Sequence, residues 1–235
     1  MEECRSIPKI QDQGLPPETH LVINTECGAF DNEHKVLPRN RFDLEVDRTS
    51  LHPGEQTYEK MVAGLYLGHL VRLVLLELGN DGRLFKGMDT SRLKDPTSLD
   101  AKHLSVIEGD RSESLSVIRD LFCAKFDIDP EPYERRIIRY VVDLVGIRAA
   151  RLYVCGIAAI CKKKNMERCH VGVDGAAFDK NSSFQQHAME AAQEIFGWPP
   201  DEDKYIHLSP AEQASGLGAA LIAALALERN EISFN

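Results

Sequence analysis

The chain has 235 residues, of which 43% are hydrophobic, and a formal net charge of −9 at pH 7. That apolar fraction supports a sizeable buried core and excludes global disorder. The acidic excess is opposite to that of proteins that bind phosphate backbones, so we expect no nucleic-acid partner.

The first predicted element is a strand. The β-branched run at 20–25 follows two prolines, a pattern typical of a strand that leaves a turn. The glycine-containing segment 28–32 predicts a second turn directly after it. Residues 33–54 are charged and irregular, so we expect a loop there.

A long helix is predicted from Glu55 to Leu78, where apolar residues recur at helical spacing. Gly64 and Gly68 interrupt the apolar stripe, and glycine within a helix is less favourable than alanine by about 1 kcal/mol. Each glycine therefore indicates either a helix break or a close approach of another backbone. Residues 79–97 predict a further loop.

Helices are also predicted for the middle of the chain. Residues 98–125 predict one or two amphipathic helices, and the apolar positions from Pro132 to Lys164 predict a long helical stretch. Pro130 is expected to open that stretch, because proline is favoured in a first turn. Gly146 and Gly156 are expected to divide it.

Strands and helices alternate in the last third of the chain. The segment 170–174 predicts a strand, 183–195 a helix, 205–208 a second strand and 215–229 an alanine-rich helix. Alternation of this kind is typical of the α/β class, which is the fold class that we expect.

The six cysteines form no CxxC pair and no Cys/His spacing of a zinc site. Most of them lie in apolar runs, so we expect reduced cysteines in the core and a cytoplasmic protein. Residues 1–19 are polar and acidic and predict no signal peptide. The sequence contains no uninterrupted stretch of about 18 apolar residues without a charged residue, so we expect no membrane span.

Three segments contain residues suited to chemistry. Glu26 lies at the predicted strand end beside a glycine turn, and Glu55 lies at an acidic helix start. From composition alone, Glu26 is a solvated turn residue and Glu55 complements the positive helix N-terminus. The small residues 215–220 lead into a helix whose backbone N–H groups could face an anion, although an ordinary packed helix start has the same pattern.

Taken in order, five motifs resemble the hexokinase family, and fungal hexokinases most of all. These motifs are NTECGAF at 24–30, HPGEQTYEKMVAGLYLGH at 52–69, IRAARLYVCGIAAICKKK at 147–164, VGVDGAAF at 171–178 and EQASGLGAALIAA at 212–224. Five collinear motifs with the family's spacings make a chance match implausible.

The resemblance implies an actin-like ATPase (ribonuclease H-like) fold with two lobes that close on a sugar. Residues 1–235 would then be the C-terminal, large-lobe portion, truncated at its N-terminal side. The implied activity is ATP-dependent phosphorylation of glucose at its 6-hydroxyl, with Mg²⁺ as cofactor and fructose or mannose as alternative hexoses. The oligomeric state is left open.

The resemblance also assigns site residues. Glu26 and Glu59 match the family's two sugar-binding glutamates. The residues that match its nucleotide site are Gly64, Leu65, Ile147, Arg148, Ala149, Ala150, Arg151, Ser215, Gly216, Leu217, Gly218 and Ala219. No catalytic residue and no metal ligand is assigned, because the family's general-base aspartate belongs to an N-D-T-V-G segment that has no counterpart in this sequence.

Several positions depart from the family pattern. Cys27 replaces a bulky aromatic residue, His69 replaces a glutamate, and Gln213-Ala214 replace Asp-Gly in the predicted nucleotide loop. These changes indicate either a divergent hexokinase-like protein or relaxed selection. Because the base is missing, we expect this chain to be inactive. The alternatives are a non-catalytic, hexokinase-like sugar sensor or regulator and a gene fragment with no stable function.

Overall fold

The computed structural model describes residues 2–3, 16, 18–166, 168–173, 182–198, 206–211 and 214–228. Its helices are α1 Arg41–Arg48, α2 Thr57–Val62, α3 Gly64–Asn80, α4 Ala101–Gly109, α5 Ser116–Phe126, α6 Pro132–Lys164, α7 Ser182–Phe196 and α8 Ala214–Glu228. Its strands are β1 Glu2–Glu3, β2 His20–Leu21, β3 Cys169–Val173 and β4 Ile206–Pro210, and short 3-10 helices span Cys27–Ala29 and Ser91–Lys94.

The 33-residue helix α6 forms the centre of the core. It starts at Pro132, so the expectation that Pro130 opens it is wrong. Proline suits this first position because the N–H that it lacks would have no partner within the helix, and a capping box between Glu131 and Glu134 satisfies the first turn. Helix α7 packs along one side of α6, and α2 to α5 contact its other sides. Ile138 and Ala149 on α6 are fully buried, which is the burial that stabilises a long helix.

Helix α6 is continuous, so the prediction that Gly146 and Gly156 divide it is wrong. Each glycine instead lies beneath a side chain from another helix. A methyl group on Gly146 would lie 2.7 Å from Glu108 Oε1, and one on Gly156 would lie 3.2 Å from the Tyr58 hydroxyl. The glycines therefore mark contact points and do not end the helix.

The predicted helix from Glu55 to Leu78 is two helices. Ala63 is extended, with φ −78° and ψ 134°, and separates α2 from α3, which begins at Gly64. Gly68 is a point of close approach, because a methyl group there would overlap the carbonyl oxygen of Leu99 and lie 2.7 Å from Asp100 Cα. One glycine thus follows a break and the other permits a backbone contact.

We expect Gly68→Ala to destabilise the protein by about 2–3 kcal/mol, the scale of overpacking, because the overlapping atoms are backbone at the start of α4. Gly79→Ala in the same helix is the matched control. Its new methyl group would lie 3.6 Å from the nearest atom, and alanine favours a helix over glycine by about 0.5–1 kcal/mol. Urea unfolding compares the two variants, and equal stabilities would contradict the close approach.

Two predictions in the N-terminal third are wrong in extent. The predicted strand 20–25 is ordered as β2 over two residues only, antiparallel to β1. The predicted loop 33–54 contains α1, which starts with a capping box in which Asn40 and Asp43 bond each other's backbone N–H groups. The buried face of α1 includes Asp43 and Val46.

The C-terminal third contains a β-α-β unit. Strands β3 and β4 pair in parallel with Cys169 opposite Ile206 and Val173 opposite Pro210, and α7 connects them. Val173 and Ile206 face the core, whereas His170 and His207 stack on the exposed side with ring centroids 4.9 Å apart. The alternation predicted for this region is confirmed, and the fold is mixed α/β.

Helix α6 is long and apolar enough to cross a membrane on length and composition alone, and it is the one such helix within the described residues. The mean hydropathy of its most apolar window is 1.7, and 33% of that window is buried inside the protein. This is weak support for a span, because a long core helix passes the same test. The prediction that no segment spans a membrane stays a prediction.

The expectation that most cysteines lie in the core is wrong for two of them. Cys27 and Cys155 are exposed, Cys123 and Cys169 are partly buried, and Cys161 is buried. Cys4 lies outside the described residues. Cys155 occupies an outer face of α6, where an apolar sequence neighbourhood does not imply burial.

Candidate functional site

The backbone of Glu26 is in the left-handed conformation, with φ 48° and ψ 42°. A non-glycine residue is disfavoured there by about 1–2 kcal/mol. Asn24 offsets this, because its amide Nδ2 donates to Glu26 Oε1 at 2.5 Å and its Oδ1 accepts from the Glu26 N–H at 3.2 Å. The Glu26 side chain is exposed and held in one orientation at the start of the Cys27–Ala29 3-10 helix.

That 3-10 helix packs against α2, which contains Glu59. A methyl group on Gly28 would lie 3.3 Å from Glu59 Oε2 and would overlap Gln56 Oε1. The absence of a side chain at Gly28 therefore lets the two segments pack this closely without displacing Gln56 or Glu59. The structure brings the Glu26 segment and Glu59 together, although about 33 residues separate them in the sequence.

Glu59 is half-buried in the first turn of α2. Among the residues that the structure describes, no group forms a hydrogen bond or ion pair with its carboxylate. Tyr66 lies near enough to respond to it: burial, and then the charge of Glu59, raise the pKa of the Tyr66 hydroxyl. A half-buried carboxylate with free acceptor positions is suited to accept hydrogen bonds from a polar ligand.

Distant segments hold α2 in position. Its first residue, Thr57, donates its N–H to Asn32 Oδ1 at 3.1 Å, which replaces a cap that Gln56 does not provide. The Tyr58 hydroxyl donates to the carbonyl oxygen of Leu152 on α6 at 2.7 Å. Phe30 packs edge-on against the Tyr58 ring at 6.3 Å. These contacts fix the helix that presents Glu59.

A buried ion pair anchors the other side of α2. Lys60, whose side chain is 5% exposed, donates from Nζ to Asp47 Oδ1 and to the His52 carbonyl oxygen, both at 2.6 Å. Asp47 also accepts from the Gly54 N–H at 3.0 Å. Burial opposes ionisation of Asp47, but the Lys60 and Gly54 bonds and the charges of Lys60 and Arg39 outweigh it and lower the pKa of the carboxyl.

The lowered pKa of Asp47 makes part of the stability pH-dependent. A group whose folded pKa is depressed stabilises the fold above its unfolded pKa of about 3.9 and loses that contribution as the pH falls through the folded value. We expect Asp47→Asn to destabilise by about 3 kcal/mol at pH 7, because Lys60 loses its buried partner. Below about pH 4, the free energies of unfolding of the parent and of Asp47→Asn should approach each other, because Asp47 then becomes protonated in the parent.

Urea unfolding between pH 7 and pH 3 measures this difference. Asp120→Asn is the matched control, since Asp120 is an exposed residue of α5. The free energy of unfolding of this variant should differ little from that of the parent, by the same amount at every pH. A gap between the parent and Asp47→Asn that stays equally wide at acid pH would contradict the assignment.

The predicted nucleotide residues Ile147 to Arg151 lie in the middle of α6. Ala149 and Ala150 are fully buried in the core. Arg148 donates two bonds to Asp43 on α1, at 2.9 and 2.8 Å, and Arg151 donates two to Glu194 on α7, at 2.9 and 2.5 Å. These side chains are engaged within the protein, and their nucleotide role stays a prediction.

The remaining predicted nucleotide residues lie at two helix starts. Gly64 and Leu65 form the first turn of α3, directly after α2, and Leu65 is 77% exposed. Ser215 to Ala219 lie in the first turns of α8, where Gly216, Leu217 and Ala219 are exposed and Gly218 is half-buried. Within the described residues, no hydrogen bond or ion pair joins α8 to another element.

The structure therefore groups some of the predicted site and leaves the rest apart. Gly64 and Leu65 directly follow the helix of Glu59, and α6 contacts that helix one residue beyond Arg151. The α8 residues are not joined to them. The part of the fourth motif after Val173 lies outside the described residues.

Sequence reasoning missed three residues that border Glu59, namely Gly28, Gln56 and Tyr66. Gly28 had a signal in the turn after Glu26, but nothing in the sequence indicated what it would contact. Gln56 is left-handed, with φ 53°, and this conformation directs the chain into α2 beside Gly28.

The family model described as Hexokinase matches residues 1–225. A hexokinase of Emericella nidulans is 46% identical over 231 residues, which cover 97% of this chain and 47% of the relative. Hexokinase-2 of Candida albicans is 44% identical, with 96% of this chain and 47% of the relative covered. The chain thus spans about half the length of these relatives and corresponds to their C-terminal portion.

Solved structures give the same result for the fold. A hexokinase from Schistosoma mansoni complexed with glucose has a TM-score of 0.78 and 35% identity, covering 92% of this chain and 48% of that one. A second hexokinase crystal structure has a TM-score of 0.70 and 25% identity, covering 87% of this chain and 43% of that one. The shared architecture is the actin-like ATPase fold.

Proposed function

The chain belongs to the hexokinase family, and from this premise we propose that residues 1–235 form the C-terminal, large-lobe portion of an ATP-dependent hexose kinase. The proposed reaction transfers a phosphoryl group from ATP to the 6-hydroxyl of glucose, with fructose or mannose as alternative sugars. We place the protein in the cytoplasm as part of the same proposal.

The observation that carries the proposal is the Glu59 carboxylate. It is half-buried, has no hydrogen-bond partner among the described residues, and lies against the segment that positions Glu26. Hydrogen bonds to an ionised acceptor are stronger than neutral ones, so the carboxylates of Glu59 and Glu26 together would hold the hydroxyls of one hexose. The relative from Schistosoma mansoni was solved with glucose, which supports the same ligand class.

The nucleotide would lie beyond Gly64 and Leu65, at the exposed start of α3. The described residues contain no group of three or more His, Cys, Asp or Glu side chains that could hold a metal ion. Magnesium in kinases is bound largely by substrate phosphates and water, with one or two carboxylates. A magnesium ion would thus arrive with ATP, where it neutralises charge on the phosphates.

We also propose that these 235 residues alone do not phosphorylate glucose. The resemblance places the general base in a family segment that has no counterpart in this sequence. A positioned acid or base typically contributes about 10²- to 10⁴-fold to the rate, and closure of two lobes excludes water from the reaction.

A second candidate is a non-catalytic sugar sensor or regulator. Gln213-Ala214 stand where the family has Asp-Gly, and α8 starts at Ala214. An alanine lacks the access to positive φ that glycine provides near a phosphate. This departure affects the nucleotide segment and leaves Glu26 and Glu59 in place, which favours sugar binding without transfer.

Two measurements on the purified chain test the proposal. Titration calorimetry should detect weak binding of glucose but not of a sugar that lacks the hexose hydroxyl pattern, such as 1,5-anhydroribitol. A coupled assay for glucose 6-phosphate should give no product above a heat-killed control. Absence of glucose binding would contradict the sugar site, and product formation would contradict the inactivity of this chain.

A further inference from the structure

Two cysteines at the end of α6 and the start of β3 lie in contact. The Sγ atoms of Cys161 and Cys169 are 3.6 Å apart, and both thiols are free. Cys161 is buried and Cys169 is partly buried. Neither residue belongs to the site around Glu59.

The local backbone holds these thiols together. Asn165, in the left-handed conformation with φ 51°, ends α6, and the Met166 N–H donates to the Cys161 carbonyl oxygen at 2.9 Å. This pattern is a helix-terminating turn that reverses the chain. Cys169 is then fixed by the pairing of β3 with β4, where it lies opposite Ile206. Both sulfur atoms are thus placed by ordered structure.

We propose that Cys161 and Cys169 are an oxidation site that forms a reversible disulfide on exposure to a peroxide. Formation of the bond requires the sulfur atoms to approach from 3.6 Å to about 2.05 Å. The chain between the two elements can accommodate such a movement because Asn165, Met166 and Arg168 are exposed.

The reaction balances in two steps. The Cys169 thiolate, which solvent reaches more easily, attacks one oxygen of hydrogen peroxide and gives a sulfenic acid and hydroxide. The Cys161 thiolate then attacks the Cys169 sulfur, forms the S–S bond and releases hydroxide. The two cysteines lose two electrons in total, and the peroxide is reduced to water once the hydroxide ions are protonated.

The environment explains the order of the two cysteines. Burial, the hydrogen bond with Cys169 and the charge of Cys169 raise the pKa of Cys161 to about 11. A thiol with a raised pKa is a poor first nucleophile, because the thiolate is the reactive form. Oxidation of Cys169 removes the charge that is one cause of this rise, although burial remains. The Cys161 sulfur, 3.6 Å from the Cys169 sulfur, is then positioned to act as the resolving thiol in the second step.

Trypsin makes the bond directly observable. Cleavage after Arg151, Lys162, Arg168 and Lys180 places Cys161 in the peptide 152–162 and Cys169 in the peptide 169–180. The two peptides stay together only through a disulfide. Cys155 also lies in the first peptide, so the experiment uses the Cys155→Ser chain, in which the linked sulfur is unambiguous.

After treatment of the folded Cys155→Ser chain with hydrogen peroxide, we expect the linked peptide pair as the main product. Because one of the six cysteines is replaced, free thiols should fall from five to three, and dithiothreitol should restore all five. Cys169→Ser in this background should abolish the link, whereas Cys27→Ser should retain it. A link through other cysteines, or Cys169 sulfinic acid without any link, would overturn the proposal.

Discussion

Replacing Glu59 with alanine is expected to abolish detectable glucose binding. Hydrogen bonds to a charged group contribute about 1.5–3 kcal/mol each, so loss of two such bonds reduces affinity by about 10²-fold or more. Glu59 belongs to the short helix α2, whose position depends on Tyr58 and Lys60 rather than on the Glu59 side chain. The loss should therefore occur without unfolding. Titration calorimetry with glucose measures the affinity, and circular dichroism checks the fold.

Glu55→Ala is the matched control for this prediction. Glu55 is exposed and lies one turn before Glu59, just ahead of α2. The same charge is removed from a nearby position in the chain, so a general electrostatic effect on binding would appear in both variants. Unchanged affinity in Glu59→Ala, or equal losses in both, would show that Glu59 does not contact the sugar.

The second large effect is expected from Asp43→Asn, which should destabilise the fold by about 3–5 kcal/mol. The Asp43 side chain is 4% exposed and accepts two bonds from Arg148. Its Oδ2 also accepts from the Asn40 N–H at the start of α1. The substitution leaves a largely buried guanidinium without a counter-ion and weakens a helix cap. The Arg148 Nε has no partner among the described groups, so no hydrogen bond from this nitrogen holds the guanidinium once Asp43 is replaced.

Glu194→Gln provides the comparison. Glu194 on α7 accepts two hydrogen bonds from Arg151, which lies on α6 as Arg148 does. Both members of that pair are about half exposed, and such pairs contribute about 0–1 kcal/mol. Urea unfolding should therefore show that Asp43→Asn destabilises the protein several-fold more than Glu194→Gln does. Similar values would contradict the view that burial makes the Asp43–Arg148 pair important.

The helices that the sequence predicts well are those with an unbroken apolar period. Helix α6 has the predicted bounds, because Pro132 and a long apolar stripe are local signals. Helix α1 was missed because its sequence is mostly charged and only Val46 among its apolar residues is fully buried. The Asn40–Asp43 capping box was its one local signal. The strand at 20–25 was predicted too long, because its only described partner has two residues.

The site illustrates a different limit. Motifs identified Glu26 and Glu59 individually, but their approach depends on Gly28 packing against Gln56, a contact between distant segments. Likewise, no local pattern indicates that Arg148 pairs with Asp43, which lies 105 residues earlier. The periodicity of apolar residues predicts which face of a helix is buried, but it does not predict which residues of other elements that face contacts.

Helix α6 also limits how this protein can change over evolutionary time. Arg148, the carbonyl oxygen of Leu152 and Cys161 meet partners on three separate elements, and each direction is fixed by its angular position on one helix. Deletion of a single residue between Arg148 and Cys161 would rotate everything beyond it by about 100°. A substitution on the exposed face of α6 leaves these three contacts in register, whereas an insertion or deletion between them does not.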